Sequence, residues 1–168
     1  MRKAVRVVGL LMVGLIVTSR AWSQDKERAE LAKAVGEAKV SLEQGLSTSA
    51  HEGKPISAKF EIEDGKLQLS VYTAKGDSFS EAVVDHTTGK AAKTEPITSG
   101  EDFTAAKAQS EAMSRAKRSL REALAGALKG NSGFHAVSIF PTPRDGHPVA
   151  EVSLAKGEEW KSVPEKLD

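Results

Sequence analysis

Apolar residues in this chain recur first at intervals of three and four, then at intervals of two, and the whole change of period happens twice. Leu31, Ala34, Val35, Ala38, Leu42 and Leu46 keep helical spacing with Lys, Glu and Arg between them, which predicts a helix from Asp25 to Leu46. Asp25 is placed to accept from the first free amides, and Glu27 and Glu30 suit the positive end of the dipole. Ser47-Thr48-Ser49 favours a turn and ends the helix. From there Ile56, Ala58, Phe60 and Ile62 alternate with Ser57, Lys59 and Glu61, and Leu67, Leu69 and Val71 alternate with Gln68, Ser70 and Tyr72. Asp64-Gly65 between them predicts a hairpin, because both central residues of a type I′ turn need positive φ. Lys75-Gly76 reverses the chain again, Phe79 to Asp85 is a third strand, Thr87-Thr88-Gly89 is a turn, and Pro96 closes a short fourth strand.

The second round begins after a linker, Ile97 to Gly100. Ser99 stands at a cap position with Asp102 three residues on, as in a capping box, and Phe103, Ala106, Met113, Ala116, Leu120, Leu124 and Ala127 predict one long helix stopped by Gly130. Strands follow at Val137-Ile139, at Ala150-Val152-Leu154 and around Trp160. Thr73-Ala74-Lys75-Gly76-Asp77-Ser78-Phe79 reappears as Leu154-Ala155-Lys156-Gly157-Glu158-Glu159-Trp160, a shift of 81, which also carries Asp64-Gly65 onto Asp145-Gly146 and Val71 onto Val152. Ser41-Leu42 matches Ser119-Leu120 at a shift of 78, and a longer turn at Pro141 to Gly146 is the expected source of the difference. The predicted class is α+β: two helix-plus-antiparallel-sheet units, 24–97 and 98–168, packed as a pseudo-symmetric pair. A lone unit of about 60–70 residues has a thin core, which pairing would thicken.

The ends and composition set the compartment. Arg2, Lys3 and Arg6 precede the apolar run Val7 to Val17, and Ala21-Trp22-Ser23 offers small residues for cleavage after Ser23, so 1–23 is expected to be a signal peptide and the protein periplasmic or secreted. Removing 23 residues from 168 leaves 145, and the four basic residues that go with them leave 20 of 24 against 23 acidic ones. That balance of −3 argues against a nucleic-acid binder. No later stretch is apolar enough to span a membrane, and the absence of cysteine excludes disulfides, thiol chemistry and cysteine metal sites.

The segment Glu81-Ala82-Val83-Val84-Asp85-His86-Thr87-Thr88-Gly89-Lys90-Ala91 resembles the closing hairpin of the PepSY family, of the form Val-Asp-x-x-Thr-Gly-Lys followed by a small or aliphatic residue. Val84, Asp85, Thr88, Gly89, Lys90 and Ala91 match it one by one; Asp85 can bond the backbone two residues on and Gly89 supplies the positive-φ position. One PepSY-like unit covers about 27–97, and a degenerate copy without the closing motif covers about 101–168. The resemblance implies a small exported α+β module without catalysis or cofactor, of a kind found in propeptides of secreted metallopeptidases, with peptidase inhibition or chaperone-like binding as its role.

The side chains that could carry chemistry are scattered. His51, His86, His135 and His147 stand singly, although His135 and His147 could meet across a hairpin with Glu151 nearby. Asp85-His86 beside Ser78 or Ser80 lacks a nucleophile elbow, and Asp85 is better explained by its turn. Arg115, Arg118 and Arg121, with Lys117, form the densest basic cluster; they read as a solvated helix face or as a docking patch for an acidic partner. Phe79 and Trp160 are equivalent in the repeat and expected to plug their cores. The leading expectation is an interaction module that binds a protein, possible partners including an exported peptidase, through an open strand edge or an uncovered sheet face. The alternative is a small-ligand or metal-binding protein that uses the groove between the units.

Overall fold

The computed structural model describes the backbone of residues 17–168 and the side chains of residues 24–168; the basic segment and nearly all of the apolar run of the expected signal peptide lie outside the described residues. Among the described residues four helices and seven strands follow in the order α1 (Val17–Glu37), α2 (Leu42–Ser49), β1 (Lys54–Glu63), β2 (Lys66–Lys75), β3 (Ser78–Val84), β4 (Ala91–Ile97), α3 (Gly100–Ser114), α4 (Leu120–Lys129), β5 (His135–Arg144), β6 (His147–Lys156) and β7 (Glu159–Lys166). The strands form one antiparallel sheet in the order β4-β3-β2-β1-β5-β6-β7. The class is mixed α+β, as expected. Among the described residues no helix is long and apolar enough to cross a membrane.

The repeat spacing of 81 is also the register of the sheet's centre. β1 and β5 pair through Ala58↔Ile139 and Lys59↔Ser138, and the first pair joins two residues 81 apart. Both strands carry a bulge at the same relative place, between Pro55 and Ser57 and between Ala136 and Ser138. Both hairpins turn on Asp-Gly with positive φ at each residue: 49° and 73° at Asp64-Gly65, 52° and 84° at Asp145-Gly146. Glu63↔Lys66 and Arg144↔His147 flank these turns, so the two loops have equal length. The three extra residues of the second half therefore lie between Leu120 and His135, in a longer α4 and its loop, and not in the Pro141–Gly146 turn as the sequence suggested.

Each expected long helix is two helices. The break before α2 comes where Lys39 N and Val40 N both donate to His86 O, after which Ser41 starts a capping box with Gln44. The second break repeats this, with Lys117 N and Arg118 N donating to Leu167 O and Ser119 boxed with Glu122. Ser99 begins α3 without a side-chain cap bond, so the capping box expected there does not form. Asp25 lies inside α1, which is already helical at Val17, and the cleavage point after Ser23 falls within that helix. Gly130 ends α4 with φ −84, a conformation that any residue could adopt.

The helices divide between the two sheet faces. A Cβ on Gly45 of α2 would stand 2.8 Å from Leu69 Cδ2, so α2 covers the face of Leu69, Val71, Phe60 and Ala58. Gly126 of α4 approaches Glu165, which shares that face through Ala150. The contacts of α3 and α1 fall on residues of opposite parity. Phe103 meets Phe79 edge to face with centroids 5.6 Å apart, Ser57 Oγ donates to Gln109 Oε1 at 2.6 Å, and the Arg28 guanidinium lies 4.7 Å from the Trp160 ring centre. Phe79 and Trp160 are thus equivalent in register, opposite Ala74 and Ala155, but Phe79 is buried while Trp160 is only half-buried under a cation. The main core is built from Leu42, Leu46, Leu120 and Leu124 over Leu69, Val71, Ile139, Val152 and Leu154, all fully buried.

Ser49, at the end of α2, is fully buried, and among the described residues its Oγ has no hydrogen-bond partner. The position 78 residues later holds Ala127, also buried. Ser49→Ala is expected to raise stability by about 1 kcal/mol, since an unmet buried hydroxyl costs about that much or more. Denaturant titration checks it, and a destabilised variant would show that the hydroxyl has a partner.

Candidate functional site

On the face away from α2, the alternation of β1 and β2 sets Lys59 and Glu61 beside Gln68, Ser70 and Tyr72, and β3 adds Glu81 next to Tyr72. Residues at i and i+2 share a face, so this grouping follows from strand geometry. The side chains form one network. Lys59 Nζ donates to Glu61 Oε2 at 2.6 Å, Gln68 Nε2 donates to Ser70 Oγ at 3.1 Å, and Ser70 Oγ donates to Glu61 Oε1 at 3.4 Å. The Lys59 ammonium also stands 5.9 Å from the centre of the Tyr72 ring. Lys59, Glu61, Gln68, Tyr72 and Glu81 floor a cleft of about 860 Å³, with Lys93 and Glu95 of β4 and Asp102 of α3 on its rim.

Burial and the neighbouring Glu81 carboxylate push the Tyr72 hydroxyl up to about 12. Burial pulls Lys59 down, but the Glu61 bond and the charges of Tyr72 and Glu61 outweigh it and the net shift is upward. At neutral pH the floor is therefore a neutral phenol beside an ammonium–carboxylate pair. Such a set can donate and accept hydrogen bonds and match charges. At the equivalent positions the second half carries Phe140, Thr142, Val149, Glu151 and Ser153, so the network belongs to the first half alone. Sequence reasoning took Lys59, Glu61 and Tyr72 only as the polar partners of a buried row. The available signal was this difference between the halves at otherwise matched positions.

The residues singled out from sequence go to separate places. Asp85 Oδ1 accepts from Thr87 N at 2.7 Å and Thr88 N at 3.0 Å, Gly89 N donates to Asp85 O, and Gly89 has φ 73. Val84 is buried, Lys90 is exposed with its amide on Thr88 Oγ1, and Gly89 O receives Thr48 Oγ1 at 2.9 Å. The segment Val84 to Lys90 is a clasp that holds α2 and offers His86 O to the α1–α2 connection.

The basic cluster is not one helix face. Arg115 caps α3 and pairs with Glu111, and Arg121 lies on α4 facing Glu43 at 3.8 Å. Arg118 lies between these helices; it donates to Lys166 O at 2.6 Å and Glu122 O at 3.2 Å and faces Glu165. Arg118 thus anchors the C-terminal strand. His135 and His147 begin β5 and β6, whose antiparallel pairing puts them at opposite ends of the hairpin, and His147 contacts Asp168. Among the described residues no group of three His, Asp or Glu could hold a metal ion. Ser78 lies at the end of β3 remote from Asp85.

Because its bonds to Thr87 and Thr88 hold Asp85 at about 2, below the ordinary 3.8, its contribution to stability is present above the ordinary value and is lost as pH falls through about 2. Asp85→Asn should therefore melt lower than the native chain at neutral pH and lose less on acidification across that window. Melting temperature against pH reads this directly, and parallel curves would contradict it.

A scan against protein-family models finds no match to the chain, and a search of curated proteins finds none. Among solved structures, the crystal structure of a putative lipoprotein from Clostridium difficile 630 is similar at 11% sequence identity, over 71% of this chain and 79% of that one, with a TM-score of 0.40.

Proposed function

We propose that the chain is an exported, non-catalytic binding module of the PepSY kind, two units joined in one sheet, whose partner is a protein of the exported-peptidase class. The observation that carries this reading is the open cleft of about 860 Å³ on the β1–β4 face, floored by a half-buried tyrosine and a charged network. Tyrosine flanked by polar groups is a favourable anchor for a protein surface, because it buries area at little entropic cost. The turn geometry of Asp85 to Lys90 supports the family resemblance, and the basic and apolar N-terminal segment supports export.

The sheet face is favoured over the sheet edges. Pro96 sits in the outer strand β4 and Pro164 in the outer strand β7, with Lys93, Lys161 and Lys166 beside them. Proline removes a donor and lysine resists burial, and both are standard guards against strand addition.

The test uses residues 24–168 against a panel of exported zinc and serine peptidases. Dose-dependent inhibition of at least one is expected, weakened about tenfold by Tyr72→Ala and by Glu81→Lys, as for loss of a central contact. Both variants should remain folded by circular dichroism, with Tyr72→Ala melting lower because the ring packs against the core. Inhibition of none of the panel, or inhibition indifferent to both substitutions, would overturn the reading.

A further inference from the structure

The polar face over β1–β4 carries more net negative charge than residues 24–168 as a whole. With histidine neutral, the residues that line its cleft include seven carboxylates and three lysines, a balance of −4. Residues 24–168 together hold 23 acidic and 20 basic residues, a balance of −3. The remainder is therefore slightly positive, and the excess acidity is gathered on this one face. Within it the charges are unequally met. Lys59 is taken up by Glu61 at 2.6 Å and Lys93 by Glu95 at 2.8 Å. Among the described residues no lysine or arginine pairs with Glu63, Glu81 or Asp102. The Lys93 ammonium is held above its ordinary value by Glu95 first, then by the charges of Glu81 and Glu63, so one cation answers three carboxylates.

The fold itself does not require this charge. Tyr72 stands directly opposite Glu81, and Glu81 directly opposite Glu95. Like charges directly opposite on neighbouring strands are destabilising. The second half builds the same pair of strands with Ser153 opposite Ser162, which the repeat's shift of 81 sets at the places of Tyr72 and Glu81. Uncharged side chains satisfy the frame there, whereas the first half keeps a charge conflict that a cation from outside would relieve.

We infer that the cleft takes a basic segment of its protein partner, with lysine or arginine side chains laid between Tyr72, Glu81 and the unpaired carboxylates at its rim. The inference rests on the binding-module reading above and adds the chemistry of what is bound. Tyr72 supplies a ring face that already has the Lys59 ammonium 5.9 Å from its centre, and a ring beside carboxylates favours cations. A metal ion fits less well, since among the described residues no three carboxylates or histidines converge to hold one. The carboxylates are instead spread over β1, β3, β4 and the start of α3, as separate cations along a segment require. An acidic segment would meet like charge across the whole face.

Anisotropy titration of labelled, end-capped peptides against residues 24–168 tests this: one alternates lysine with alanine, one arginine with alanine and one glutamate with alanine. The two basic peptides should bind saturably, and more weakly as salt rises, while the glutamate peptide should not bind. Amide NMR shifts should centre on Tyr72, Glu81 and Glu95. Glu81→Gln should weaken the basic peptides about two- to fivefold, the range for a surface ion pair. Glu111→Gln, an equal change of net charge on α3, should leave them unchanged. Equal effects of the two substitutions, scattered shifts or equal binding of the glutamate peptide would overturn the inference. So would inhibition of a peptidase by a chain that ignores the basic peptides, an outcome that leaves the binding module standing. Basic peptides bound at the cleft with no peptidase inhibited would support the inference and contradict the peptidase reading.

Discussion

The short ladder between β1 and β5 is the interaction on which the rest of this structure depends. Two residue pairs, Ala58↔Ile139 and Lys59↔Ser138, make two four- and three-stranded sheets into one of seven strands. Without it, each half would expose an inner strand edge and the apolar rows beside it. With it, Ala58 and Ile139 are fully buried, and α2 and α4 close over the joint through Leu46, Leu124 and the Glu43–Arg121 pair. Cysteine-free, the chain has no cross-link to substitute for that shared core.

The brevity of the ladder matters as much as its existence. Beyond these pairs β1 and β5 are no longer bonded to one another, and the α1–α2 connection runs past Phe60, His135 and Ala136 at that end. The connections tie helices on opposite sheet faces, and each is held by one carbonyl from the far end of its half, His86 O or Leu167 O. The Asp85–Gly89 turn and the C-terminal Arg118 clasp are thus two solutions to one problem, which is why the second half can dispense with the closing motif of the first.

Strands and hairpins were legible in the sequence because their signals are local. Asp64-Gly65 and Asp145-Gly146 demand positive φ, and the alternation around Leu69 and Val152 fixes which side chains point inward. The helix breaks were not legible, because Leu42 and Leu46 keep the spacing of Leu31 and Val35, and the acceptor that stops the helix comes from His86, far along the chain. Periodicity also says that a strand has two faces without saying which helix covers each. The directions of the basic residues were not legible for the same reason: Arg115, Arg118 and Arg121 are near in sequence, but the turn between α3 and α4 turns Arg118 toward Lys166 and Glu165. The cleft was half legible: its residues are visible as alternating polar positions, but its asymmetry depends on the register that pairs Lys59 with Ser138 and sets Phe140 at the place equivalent to Lys59.

Cross-linking across the central ladder tests the account most directly, and the absence of native cysteine makes it clean. Side chains directly opposite in an antiparallel pair have Cβ atoms about 4.5–5.5 Å apart, against about 7–8 Å for diagonal neighbours. Lys59→Cys with Ser138→Cys should oxidise rapidly to an intramolecular disulfide, while Lys59→Cys with Phe140→Cys, two residues out of register, should remain largely reduced. A chain in which the first pair stays reduced or links only between molecules, or in which the second pair closes as readily, would contradict a single sheet joined at Ala58 and Ile139.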